Sequence, residues 1–253
     1  KFIQVDEEDN LWIVEVKNKL VVGNLKFQKL DFHLNDIRTL EMLNNELFIG
    51  TQYGLFVRKD NDVEKVNSNN IACMSSLKRY LLVGTFSEGI KVYDSNCEFI
   101  SAIDNWSGIP NESVLTIFVD EEFVYVSSLS GVMKMKFDSG HLKPIQSLNS
   151  IIGQAYIYCI KKKEEIFYYG TDRSGLVIWN TKTDEIQRLE RFENGEKIGS
   201  VYSFVLDQNS NLWFTSANKG LGKLTRNEAD HLKEIENVND EFTSITNVKD
   251  GSL

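Results

Sequence analysis

Three observations predict an all-β chain built as a β-propeller of four-stranded antiparallel blades. A short phrase recurs along the 253 residues: two or three apolar residues, a small residue or Gly-Thr, then, four or five residues later, Gly and an aliphatic residue. It begins at Leu11, Leu47, Leu81, Val124, Phe167, Leu212 and Leu253, at intervals of 36, 34, 43, 43, 45 and 41. Each interval divides into four strand-like runs separated by turn residues. No stretch holds an i, i+3, i+4, i+7 apolar stripe for three turns, so no helix competes. A period near that of one four-stranded blade sets the architecture.

The strongest copies read Leu47-Phe48-Ile49-Gly50-Thr51 with Gly54-Leu55, Leu81-Leu82-Val83-Gly84-Thr85 with Gly89-Ile90, and Phe167-Tyr168-Tyr169-Gly170-Thr171 with Gly175-Leu176. Val124-Tyr125-Val126-Ser127 with Gly131-Val132 and Leu212-Trp213-Phe214-Thr215 with Gly220-Leu221 are weaker, and Leu11-Trp12-Ile13-Val14 lacks the second glycine. The repeats span approximately 1–35, 36–70, 71–113, 114–155, 156–200 and 201–241, and 242–253 starts a seventh. The fourth shows the strand logic. Val114 to Val119 is apolar and β-branched, Asp120-Glu121-Glu122 breaks it, and Phe123 to Ser127 is a second strand. After Ser130-Gly131, the run from Val132 to Phe137 alternates apolar and charged residues, one face in and one face out, and Leu142 to Leu148 supplies the fourth strand. The glycine after each second strand serves a tight hairpin that needs positive φ, and the Thr or Ser before it fits the same turn.

One meander cannot bury both faces of its sheet, so each must stack on the next, and a ring of them avoids long exposed edges. A β-sandwich or a linear solenoid is the alternative that this regular spacing disfavours. Phe2 to Val5 and Phe242 to Val248 both read as the first strand of a blade. The expectation is therefore an incomplete propeller from a longer protein, a fragment of a seven-bladed ring: six blades, the first strand of a seventh, and an unsealed gap or a dislodged terminal strand.

With 42% hydrophobic and 11% aromatic residues the chain can bury a large core as one domain. Its 28 basic and 37 acidic residues give a net charge of −9, which argues against nucleic-acid binding. Lys161-Lys162-Lys163 runs at once into Glu164-Glu165 and reads as a solvated hairpin tip. Cys73, Cys97 and Cys159 fall in different repeats, with no disulfide framework or metal spacing, and Cys73 and Cys159 read as small packed hydrophobes. No apolar run reaches 18 residues, so no direct membrane insertion is expected of this region.

The segments Asp207-Gln208-Asn209-Ser210-Asn211-Leu212-Trp213-Phe214-Thr215, Val5-Asp6-Glu7-Glu8-Asp9-Asn10-Leu11-Trp12-Ile13 and Val248-Lys249-Asp250-Gly251-Ser252-Leu253, with the loop from Ser107 to Ile117, resemble two-component regulator propeller repeats. The resemblance runs through nearly the whole chain. It departs at Val14-Glu15 and Ser127-Ser128, where that family has Gly-Thr. It implies a periplasmic or extracytoplasmic sensor region of a membrane-anchored parent, a hybrid histidine kinase or a diguanylate cyclase. Adjacent propeller and β-sandwich domains, a homodimeric parent and a glycan fragment or other small molecule as ligand are implied with it.

Two further classes stay open on the residues alone. A propeller enzyme, a glycan lyase or hydrolase, would need a nucleophile, a base or a metal set. Here His33, His141 and His231 stand apart, no G-x-S-x-G, H-E-x-x-H or G-x-G-x-x-G occurs, and carboxylates scatter through turns. No catalytic residue, metal ligand or cofactor is therefore assigned. An interaction scaffold of the WD40 kind would show Gly-His and Trp-Asp pairs, which are missing. In a meander, the loop between strands two and three and the link to the next blade lie at one end. That end collects Tyr53, Phe86 and Arg173 from the former loops and Trp106 and Asn111 from a link, and these five are the ligand-binding candidates. Rings stack on apolar sugar faces while amides and guanidinium groups take hydrogen bonds.

Overall fold

The computed structural model describes residues 3–5, 11–14, 20–23, 28–30, 34–59, 62–104, 113–153, 155–217, 220–224, 232–234 and 245. They form six four-stranded antiparallel sheets, each a meander in chain order. The first holds β1 (Ile3–Val5), β2 (Leu11–Val14), β3 (Leu20–Gly23) and β4 (Gln28–Leu30). The second holds β5 (Ile37–Leu43), β6 (Glu46–Thr51), β7 (Gly54–Lys59) and β8 (Asp62–Asn67), and the third β9 (Ile71–Leu77), β10 (Tyr80–Thr85), β11 (Ile90–Asp94) and β12 (Phe99–Ile103). The fourth holds β13 (Val114–Asp120), β14 (Phe123–Ser128), β15 (Gly131–Asp138) and β16 (His141–Ser147). A single helical turn, α1 (Asn149–Ile152), leads to the fifth: β17 (Ile157–Lys163), β18 (Ile166–Thr171), β19 (Leu176–Asn180) and β20 (Glu185–Leu189). The sixth holds β21 (Val201–Leu206), β22 (Leu212–Ser216), β23 (Gly220–Leu224) and β24 (Leu232–Glu234). Two compact units result, residues 1–148 with four sheets and residues 149–253 with two.

Within the first unit, Leu43, Phe48, Leu55 and Val57 of the second sheet pack on Ile71, Met74, Leu81 and Val83 of the third. Leu82, Ile90 and Val92 pack in turn on Val114, Ile117, Val126 and Met135 of the fourth. In the second unit Leu176, Phe192 and Ile198 meet Val201, Phe204 and Phe214. The phrase repeats because, in the second to sixth sheets, the second strand buries residues on both of its faces.

The first glycine of Gly-Thr has a packing reason that the turn argument does not supply. A Cβ built on Gly50 would lie 2.6 Å from Ile71 Cγ2, one on Gly84 2.7 Å from Val114 Cγ1, and one on Gly170 2.8 Å from the Val201 carbonyl oxygen. Ile71, Val114 and Val201 each open the first strand of the following sheet. The glycine thus sets how closely successive sheets approach. The threonine holds the turn: Thr85 Oγ1 donates to Gly89 O (2.9 Å) and accepts from Glu88 N–H (2.8 Å), and Thr171 Oγ1 donates to Gly175 O (2.9 Å) and accepts from Ser174 N–H (3.1 Å). Gly89 and Gly175 sit at φ of 66° and 68°, which an L side chain would strain. Ser128 Oγ accepts from Ser130 N–H at 3.2 Å, so the Ser-Ser departure keeps part of this device.

Asp207, which begins the Asp…Leu-Trp phrase, is a cap. Its carboxylate accepts from Asn211 N–H (2.8 Å), Asn211 Nδ2 (2.7 Å) and Trp213 Nε1 (2.9 Å). Burial raises its pKa, but these hydrogen bonds outweigh that and hold it below the usual value. Burial pushes the Cys73 thiol, beside Gly84, up to about 12. Lys163 donates to Ser210 Oγ and Lys162 lies over the Phe167 ring, so the lysine run belongs to β17 itself and the acidic pair forms the tip.

Candidate functional site

A second recurrence has no counterpart in the phrase. The second residue of the first strand falls out of register in five sheets: Arg38, Ala72, Leu115, Tyr158 and Tyr202. A bulge turns that side chain out of the ladder. It does so at the end of the sheet where the strand-two-to-three turn meets the incoming link. Backbone hydrogen bonds fix that meeting: Gln52 N–H to Asp36 O (3.3 Å), Phe86 N–H to Asn70 O (3.0 Å), Asp172 N–H to Tyr156 O (2.8 Å) and Ala217 N–H to Ser200 O (2.9 Å).

In the first unit the bulge residue Arg38 donates to Asn70 Oδ1 (2.7 Å) and Gln52 Oε1 (3.3 Å), and its guanidinium carbon lies 4.6 Å from the Phe86 ring centroid. Ser113 Oγ donates to Phe86 O at 2.6 Å. Phe86 is 39% exposed and Tyr53 55%. Both stand on the expected turns, and Arg38 ties the turn carrying Tyr53 to Phe86 through Gln52. Trp106 and Asn111 lie outside the described residues.

In the second unit the same end of the fifth sheet holds a cleft of about 400 Å³. Ile152, Ala155 and Tyr156 of the link form one wall, Thr171, Asp172 and Ser174 of the turn another, and Val177, Arg188 and Glu190 the third. Arg188 donates to Ile151 O (2.9 Å) and Ile152 O (3.0 Å), tying β20 to the end of the helical turn. Ser200 Oγ donates to Asp172 Oδ1 (3.0 Å) and accepts from Arg173 N–H (3.1 Å). The Arg173 side chain is 87% exposed, with its Nε 3.6 Å from Asp172 Oδ2. Tyr156 is 41% and Tyr202 36% exposed. The Tyr158 and Tyr202 rings lie 5.3 Å apart at 36°. Burial first, then the Asp172 charge, raises the Tyr158 phenol above its ordinary pKa.

Arg173 is thus where the strand argument puts it, beside a cleft whose other polar groups went unnoticed in the sequence: Tyr156, Arg188 and Glu190. The legible signal was Tyr156-Ile157-Tyr158, two aromatics flanking a buried strand residue. Among the described residues no three His, Cys, Asp or Glu side chains converge as a metal site. The cleft is lined by one phenol ring, two hydroxyls, two carboxylates and a guanidinium, groups chemically able to take a small polar ligand by stacking and hydrogen bonds.

No family model matches the chain, and no curated protein matches it. Solved structures do. The extracellular domain of BT4673 from B. thetaiotaomicron, described in one structure as belonging to a hybrid two-component system and in another to a one-component system, superposes with a TM-score of 0.79 at 18% identity, over 99% of this chain and 36% of that one. The extracellular domain of BT3049 from the same organism, described as a hybrid two-component system, gives 0.72 at 16% identity, over 96% and 36%. The WD40 propeller domain of Doa1 gives 0.70 at 10% identity, over 96% and 83%. The chain therefore spans about a third of the length of the two bacterial domains it matches. At these identities the likeness establishes the fold, an all-β propeller of four-stranded blades. No described helix is long and apolar enough to cross a membrane.

Proposed function

We propose that this chain is the ligand-sensing propeller region of an extracytoplasmic two-component receptor, of the regulator-propeller family its repeats resemble, and that it binds a glycan fragment without turning it over. The observation that carries this reading is the cleft of the fifth sheet, walled by Tyr156, Asp172, Ser174 and Glu190 with Arg173 at its rim. The B. thetaiotaomicron neighbours, extracellular domains of one- and two-component systems, support the sensor class. The reading includes a membrane-anchored parent with a kinase or cyclase output, adjacent propeller and β-sandwich domains, and a homodimeric assembly. Tyr53, Phe86, Trp106 and Asn111 are proposed as contacts on the first unit.

The test is isothermal titration of the 253-residue chain against oligosaccharides of several linkages, with reducing-end assays on the same mixtures. At least one oligosaccharide binds saturably, none is cleaved, and Tyr156→Ala and Arg173→Ala each weaken binding by about ten-fold. Binding that survives both substitutions unchanged, or cleavage by the purified chain, defeats the proposal.

A further inference from the structure

We infer that the fifth-sheet cleft selects a neutral sugar ring over the same ring bearing a carboxylate, with the Glu190 side chain as the discriminating group. The inference rests on the sugar-binding reading of that cleft.

The cleft holds two carboxylates and one guanidinium in its walls, with a second guanidinium at the rim, and their engagements differ. Asp172 already accepts from Ser200 and faces Arg173. Arg188 spends both terminal nitrogens on the Ile151 and Ile152 carbonyls, which makes it a tie between strand and link. Arg173 points into solvent, where an ion pair contributes little. Glu190, Tyr156 and Ser174 are exposed to solvent, and among the described residues no hydrogen bond or ion pair engages the Glu190 carboxylate or the two hydroxyls. Glu190 is held from its backbone instead, where Ile198 N–H donates to its carbonyl at 3.0 Å.

An ionised carboxylate only accepts hydrogen bonds. It suits a pair of neighbouring ring hydroxyls, which donate to its two oxygens. It opposes a ligand carboxylate at the same place by like charge; Arg188 keeps its own charge, but its two terminal nitrogens are held on the Ile151 and Ile152 carbonyls, so it does not turn to clamp the acid in a two-pronged pair. Tyr156 supplies a ring for the apolar face of the sugar, and Ser174 a hydroxyl that gives or accepts. A volume of about 400 Å³ lies within the range of small-molecule sites.

The experiment uses the methyl glycosides of glucose, galactose and mannose and the matching uronic acids, titrated at pH 7 into the chain and followed by protein NMR. At least one neutral glycoside binds, and its uronic acid binds at least about ten-fold more weakly, a difference of about 1.4 kcal/mol. Glu190→Gln keeps shape and hydrogen bonding while removing the charge, and it narrows the gap to less than about three-fold. Equal or tighter binding of the acid to the unmodified chain, or a gap that Glu190→Gln leaves intact, overturns the inference while the sugar-binding reading survives. Failure of every glycoside and acid to bind the folded chain overturns both.

Discussion

In the second sheet the bulge residue is Arg38, and in the fifth it is Tyr158; the turns beside them are built from the same Gly-Thr phrase. Arg38 reaches across to Asn70, Gln52 and the Phe86 ring, and its charge is covered. Tyr158 turns onto Tyr202 and the Asp172 charge, the arginine of its turn points to solvent, and a cleft stays open between turn and link. Turn chemistry is therefore scaffold common to both. The residue that the bulge ejects differs: an arginine bridges the turns at the end of the second sheet, and a tyrosine stands at the end of the fifth that holds the cleft.

The largest expected effect tests the shared scaffold. Gly84→Ala and Gly170→Ala each force a methyl group against the next sheet and should each destabilise the chain by about 1–3 kcal/mol in denaturant unfolding. Gly170→Ala should be the worse, since besides Cys159 Sγ it meets the Val201 carbonyl oxygen of the backbone, while at Gly84 the obstacles, Cys73 Sγ and Val114, are all side chains. If Gly170→Ala proves neutral, the two regions do not share a junction and the comparison fails.

A smaller effect separates the two arginines. Arg38→Ala removes two hydrogen bonds and a cation–π contact and should cost about 1–2 kcal/mol, whereas Arg173→Ala should leave stability within about 0.5 kcal/mol. Arg38→Lys should recover only part of the loss, because an ammonium cannot span Asn70 and Gln52 as the planar fork does. Equal losses at the two positions would show that the arginine-bridged end and the end with the cleft are not energetically distinct.

The sheets were legible because their determinants are local. Alternation from Val132 to Phe137 and the turn phrases mark strands whatever their neighbours. The cap was legible as a spacing too: Asp6, Asn10 and Trp12 repeat the interval of Asp207, Asn211 and Trp213. The bulges were hidden because they depend on pairing with another strand. They left one trace, burial at every third residue in Ile37, Leu40, Leu43 and again in Ile71, Met74, Leu77, where a regular strand would show every second. Glu190 and Arg188 escaped notice because they sit at the end of a fourth strand, a position the loop argument did not collect. Their relevance appears only once the link from Asn149 to Tyr156 has been laid against them.

The smallest expected effect sharpens the role of Tyr158. Its pKa is raised, chiefly by burial and then by the Asp172 charge, so the fold favours the neutral phenol. A tyrosine in the unfolded chain ionises near about pH 10. The stabilisation is therefore complete below that pH and is lost as the pH rises through the higher folded value. Spectroscopic titration at the tyrosinate band should show that Tyr158→Phe removes an ionisation lying above the ordinary range, and Asp172→Asn should move that ionisation back towards it. Tyr125, raised to about 12 by burial and then by Asp120, lies in the other unit and should not respond to Asp172→Asn. An ionisation lost from Tyr158→Phe at or below the ordinary tyrosine value would mean that the phenol does not face Asp172 as described.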